Sequence, residues 1–277
     1  MKDSVQPQNR GEIRVLYDHR SILIFDKTDQ GSSSRRYLIL GDLHIGFEEK
    51  FRAQGVKIEA SVDRLIEEIK SIADLWKITD IVINGDVKSS ITNITSSEWE
   101  KVPKFFDGIC DDLNVKVILG NHDAGIKQLL PAKVDVADST GLLLGNNLVM
   151  HGHTNPILKY RNCKRLIMGH LHPIYLKKGS PLSGQPVWIF AKVPRTYVFQ
   201  GMIAESVASH SGEDLVEVIV MPSFNLDLIV SAYSKDTARE ERRTAPMVRS
   251  LYRAEEAAIV TVEGDLIGDA SLLNSIL

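Results

Sequence analysis

Cysteine is nearly absent from this 277-residue chain, with only Cys110 and Cys163 present. Two thiols cannot build a disulfide framework and fall short of a thiolate metal site, so a reducing compartment is expected and both are read as small core residues. Aromatic residues are scarce at 6%, and no stretch interleaves them with basic residues as a base-stacking surface requires. Neither sign of charge is in excess: 33 basic residues face 36 acidic ones, for a net charge of −3. No global field therefore marks a nucleic-acid binder, and any phosphate-binding surface has to be local. No segment reaches eighteen uninterrupted apolar residues, and the opening MKDSVQPQNRGE lacks an apolar signal core. A soluble, cytoplasmic protein without a membrane partner is expected.

What is present is a chain with 43% hydrophobic residues, ample for a buried core. IRVLY at 13–17 and SILIF at 21–25 alternate as an antiparallel hairpin, and YLIL at 37–40 is a strand that stops abruptly at Gly41-Asp42. Apolar residues from Val62 to Leu75 follow helical spacing, with Ser61 as the expected N-cap. DIVINGD is a short buried strand, 96–113 is again helical, and VKVILGNHD at 115–123 repeats the strand with a polar tip. GLLLGNNLVMHGH at 141–153 predicts two strands around a Gly145-Asn146-Asn147 turn, and RLIMGHLH at 165–172 another strand. Strands alternating with helices and ending in polar residues predict an α/β architecture with its ligands at the carboxyl ends of the sheet. From 186 to 232, PVWIF, TYVF, LVEVIVM and LDLIVSAY predict a second sheet.

Six of the eight histidines fall in the polar tips: His44, His122, His151, His153, His170 and His172. Asp42 and His44 are two apart after a strand end, so both can turn toward one ion. Asp86 supplies a carboxylate whose two oxygens suit a bridge between cations. Asn121 adds an amide oxygen, and His151, His170 and His172 add imidazoles, which bind Mn, Fe, Ni or Zn. Any one of these residues alone reads as a turn residue. Seven donors that include two carboxylates suit two divalent ions.

GDLH at 41–44, GD at 85–86, GNHD at 120–123, HGH at 151–153 and GHLH at 169–172 together resemble the ordered signature of the calcineurin-like metallophosphoesterases. The resemblance implies a four-layer fold, with two mixed β-sheets packed face to face and flanked by helices. It implies that Asp42, His44 and His172 bind one metal, that Asn121, His151 and His170 bind the other, and that Asp86 bridges them, with manganese as the expected ion. Two such ions supply the nucleophile and neutralise phosphate charge. His122 resembles the family's catalytic histidine, donating a proton toward the leaving oxygen or orienting the phosphate, with Asp123 as the expected partner of its ring. His153 is read as a substrate-facing or supporting group beside the alternative of a polar loop residue, and Lys88 as reaching a phosphate beside that of a solvated lysine.

GDLHIGFEEKFRAQGVKI and MPSFNLDL further resemble the ICC-like phosphoesterase branch, whose members are linked to DNA repair. The chain departs from that branch at Ser89, where a histidine is expected. The resemblance implies hydrolysis of phosphodiesters, nucleic acid among them, and a DNA-repair protein as partner. Lys159, Arg161, Lys164, Arg165, Lys177 and Lys178 follow the later motifs and are read as flanking the site. A small-molecule or cyclic-nucleotide phosphodiesterase or phosphatase stands beside this reading, as does a protein-binding scaffold, although no expected ligand is missing. Residues 1–233 are read as the phosphoesterase domain and 234–277 as a C-terminal accessory segment packed on it. The stretch KDTAREERRTAPMVRSLYR within that segment is read as a phosphate-facing arm, a partner-binding segment or a plain surface helix.

Overall fold

The computed structural model describes residues 11–27, 34–52, 55, 61–199, 214–229 and 245–277. A six-stranded sheet is built in sequence order from β1 (Glu12–Leu16), β2 (Ser21–Lys27), β3 (Ser34–Leu40), β4 (Asp80–Asn84), β5 (Asn114–Ile118) and β6 (Asp135–Ala137). β1 and β2 form the expected antiparallel hairpin, β3 also pairs antiparallel with β2, and β3 to β6 run parallel. Parallel neighbours need crossovers, and α1 (Glu48–Arg52), α2 (Val62–Trp76) and α3 (Ser96–Ile109) lie in these connections.

The second sheet contains β7 (Leu142–Leu144), β8 (Asn147–Val149), β9 (Arg165–Met168), β10 (Ile174–Tyr175), β11 (Gln185–Pro194), β12 (Leu215–Val220), β13 (Glu256–Thr261) and β14 (Leu266–Asp269). Its order is β14-β13-β11-β12-β9-β8-β7, with β10 also pairing with β11. The short helices α4 (Arg195–Val198), α5 (Pro246–Leu251) and α6 (Leu273–Ile276) complete the chain.

Strand alternation explains the layering. Leu38, Leu40, Ile81, Ile83, Val115 and Val117 point to the side of the first sheet covered by α2 and α3. The intervening Ile39 and Val82, with Ile118, meet Val149, Ile167, Trp188 and Ile219 of the second sheet. Leu166 and Met168 face the other way, toward α5 and α6. Both faces of each central strand are thus buried, which is why these strands read as unbroken apolar runs. The result is four layers, helices on sheet on sheet on helices. Cys110 and Cys163 are free thiols within the two outer cores.

Three local expectations give way. Ser61 precedes α2 in helical backbone geometry with no side-chain cap, and its hydroxyl instead accepts from the Asn225 amide at 3.3 Å. TYVF is not a strand, because after Pro194 the chain turns into α4 and buries Val198 and Phe199 in the outer core. The start of LDLIVSAY is a tight helical turn over Leu226–Leu228, induced by the Asn225 side chain accepting from the Asp227 amide; residues 230–233 lie outside the described residues. Of the charged C-terminal stretch, 235–244 likewise lies outside them. The part that follows is neither arm nor surface helix, since Met247, Val248 and Leu251 of α5 are fully buried.

Candidate metal centre

The parallel strands β3, β4 and β5 end side by side, and so do β8 and β9 in the other sheet. Each expected ligand sits in the loop just past one of these ends. Asp42 and His44 follow β3, Asp86 follows β4, Asn121 follows β5, His151 follows β8, and His170 and His172 follow β9. Sheet packing brings all seven together. Ligand atoms of Asp42, His44, Asp86 and His172 lie within 4.8 Å of one another, as do those of Asp86, His151 and His170. Asp86 belongs to both groups: its Oδ2 is 3.4 Å from His44 Nε2 and 3.3 Å from His151 Nε2. Asn121 Oδ1 joins the second group, 3.2 Å from His151 Nε2. His172 Nε2 stands 3.0 Å from Asp42 Oδ1 and 3.3 Å from His44 Nε2.

The backbone is bent to achieve this. Asp42, His44, Asp86, His170 and His172 all have positive φ, between 40° and 67°. Each costs about 1–2 kcal/mol for a residue with a side chain, and such strain persists only where surrounding structure dictates it. The glycines of the motifs provide room. A Cβ at Gly120 would collide with the Asp86 carboxylate, and one at Gly169 with that of Asp42.

Electrostatics divide the imidazoles by role. Burial holds His44 down to about 3, and burial together with His151 holds His170 to about 3, so both are neutral with lone pairs available. His151 is also fully buried, which works against its charged form. Yet Asp86, Asp42 and the Asn84 carbonyl together raise it to about 10. Burial also opposes ionisation of the carboxylates, but His172 keeps Asp42 low and His151 keeps Asp86 well below the usual range. A buried point that holds positive charge, ringed by carboxylates and neutral imidazoles, fits cations. The Asp and His cluster fits a dinuclear metal site.

Backbone carbonyls set ring orientation, a signal that residue identities do not carry. His151 Nδ1 lies 2.9 Å from the carbonyl of Asn84, whose amide nitrogen donates to the Met150 carbonyl at 3.0 Å. Donation from Nδ1 leaves Nε2 for the centre. His122 Nδ1 lies 2.6 Å from the Ser89 carbonyl, and its Nε2 lies 3.9 Å from Asp86 Oδ2. The expected Asp123 partner for this ring is not there. The Asp123 carboxylate accepts instead from the backbone N–H groups of Asp86 (2.9 Å), Val87 (2.9 Å) and Gly120 (2.8 Å), joining the two loops, and burial beside Asp86 raises it to about 6.

Lys88 does not lie in solvent. It is fully buried, its ammonium donating to the Ser90 carbonyl and, at 3.2 Å, to the Ser90 hydroxyl, and burial lowers its pKa. Ser89 and Ser90 are held in turn by Glu98 Oε1, which accepts their amides at 3.0 and 2.7 Å, while Oε2 accepts the Thr95 amide at 2.8 Å. This is the capping box of α3. Its pattern, Thr95-Ser96-Ser97-Glu98, is the sequence signal that would have revealed Glu98.

His153 Nδ1 is buried without a hydrogen-bond partner among the described residues, and the ring lies 5.3 Å from that of His151. Burial, then His151, holds it neutral, down to about 4. Arg165 does not flank the centre. It opens β9, four residues or about 13 Å of strand from the His170 loop, and pairs with Glu217 at 2.5 Å.

Strand-end carboxylates and imidazoles, gathered around a shared aspartate at the meeting of two sheets, fit the dinuclear centre of a metal-dependent hydrolase. The calcineurin-like phosphoesterase family profile matches residues 35–232, and the chain belongs to this family, hydrolases of phosphoric esters. No curated protein matches the chain. Among solved structures it is similar to the Pseudomonas putida nuclease MPE, with 18% identity, 79% of this chain and 86% of that one covered, and a TM-score of 0.47. It is also similar to YfcE, a phosphoesterase from E. coli, with 12% identity, 84% and 97% covered, and a TM-score of 0.37. Among the described residues no helix is long and apolar enough to cross a membrane.

Proposed function

We propose that this chain hydrolyses phosphodiesters, with nucleic acid strands as the substrate class and manganese as the resident ion. The observation that supports it most is the pair of donor groups sharing Asp86, with the His122 ring 4.7 Å from that of His44. In this reading Asp42, His44, Asp86 and His172 hold one divalent ion, and Asp86, Asn121, His151 and His170 the other. When bound, the two ions supply the nucleophile and neutralise charge on the phosphate. His122, its Nδ1 tied to Ser89, carries on Nε2 the proton delivered to the leaving oxygen. His153, its ring 5.3 Å from that of His151, is read as a substrate-facing group or a support for that ligand. The nucleic-acid assignment rests on the sequence likeness to the ICC-like branch, and a DNA-repair protein is the partner it implies.

The test is turnover of single-stranded DNA, RNA, cyclic nucleotides and an aryl phosphodiester with added manganese, alongside metal analysis of protein purified without chelator. Cleavage of a strand, with two ions per chain, is expected. Hydrolysis of the aryl ester alone would remove the nuclease assignment, and fewer than two ions would remove the dinuclear one.

A further inference from the structure

The two segments that carry Asp86 and His122 part beyond the centre and flank an open cavity of about 440 Å³ at the surface. Thr92, Asn93, Ile94 and Trp99 line it from one side, and Ala124, Gly125 and Gln128 from the other. The second wall starts two residues after His122, and the first is anchored to it by the Ser89 carbonyl on His122 Nδ1. Trp99 is 50% exposed in the first turn of α3, apolar area left open on the wall of a cavity. At Gly125, φ is +76°, and a Cβ there would stand 3.3 Å from Gln128 Nε2 and 3.4 Å from Ile94 Cδ1. The absence of a side chain keeps the floor open.

None of the lining side chains is charged, so the cavity is not a phosphate subsite. An indole face, an aliphatic contact and two carboxamides, each with donors and an acceptor, suit a flat heteroaromatic ring with hydrogen-bonding edges. We propose that the cavity binds the nucleobase of the leaving nucleoside in a nucleotide phosphodiester. The leaving side follows from the proton delivery assigned to His122, so this inference rests on the function proposed above. No series of aromatics is needed, because one indole is enough to stack a single base.

Manganese-supplied protein should cleave a thymidine dinucleotide in preference to the same dinucleotide with an abasic leaving residue, by about tenfold or more. Trp99→Ala should abolish that preference and Trp99→Phe retain most of it. In the metal-free protein, adenosine alone should shift the Trp99 indole NMR signal, assigned by its loss in Trp99→Phe. Equal turnover of the two dinucleotides by the wild type, or an undiminished preference in Trp99→Ala, overturns the base subsite and leaves phosphodiester hydrolysis standing. If neither dinucleotide nor an aryl diester is cleaved, it is the hydrolysis reading that fails. The adenosine titration then decides the cavity by itself, an unmoved indole signal overturning it.

Discussion

The two sheets contribute unlike chemistry to one centre. Of the expected metal donors, loops of the first sheet bring both carboxylates, the Asn121 amide and the His44 imidazole, with His122 beside them. Loops of the second bring imidazoles alone, His151, His170 and His172. Each donor group draws on both sheets, so neither half is a site. The first has negative charge with too few imidazole donors around it, and the second has imidazoles with no carboxylate to neutralise a cation. The seam between the sheets, filled by Ile39, Val82, Ile167, Trp188 and Ile219, therefore sets the geometry of the centre as well as the stability of the fold.

The sharpest way to break this division is Asp86→Ala. Losing the shared carboxylate should remove both ions by metal analysis and lower phosphodiester turnover on the order of a thousandfold or more. His170→Ala, from the other sheet, should leave one ion bound; loss of both would show that the two donor groups do not hold their ions separately. His122→Ala should lower kcat by about 10²- to 10⁴-fold while both ions stay, and normal turnover would remove it from the reaction. At the seam, Trp188→Ala should cost about 3–5 kcal/mol in urea unfolding.

Glu98→Gln should have the smallest effect and a pH dependence. Burial pushes the Glu98 carboxyl up, but hydrogen bonds from Ser90 and Thr95 outweigh it and the folded value is depressed. A depressed carboxyl stabilises above its unfolded value, about 4.3, and that contribution is lost as pH falls through the folded one. The variant should be less stable by about 1–3 kcal/mol at neutral pH, and the gap to the wild type should close in acid. A gap independent of pH would contradict this account of the loop that orients His122.

Much of this was legible in the sequence because strands buried on both faces are long apolar runs, and because the site residues stand where those runs stop. DIVINGD and RLIMGHLH announce both the strand and its chemistry. What was hidden depends on backbone atoms. Asn84 and Ser89 orient His151 and His122 through carbonyls that every residue possesses, and Asp123 serves main-chain amides in place of the ring beside it in sequence. The solvated alternative for Lys88 fails because the pull of Ser90 and the enclosing loop outweighs the tendency of lysine to seek water. TYVF and LDLIVSAY have strand composition, but Pro194 and Asn225 redirect the chain ahead of them.

The place of β13 has a practical consequence. It pairs with β11 along Val187 to Lys192, although it lies beyond the family-matched residues 35–232. A fragment trimmed to those residues would leave the ten-residue β11 with that long row of backbone donors and acceptors bare, next to Val187, Trp188 and Ile189. An unprotected edge of this kind pairs with the next molecule. Such a fragment would keep every expected ligand and still be prone to aggregate, so activity lost on trimming would reflect an uncapped sheet with the chemistry unharmed.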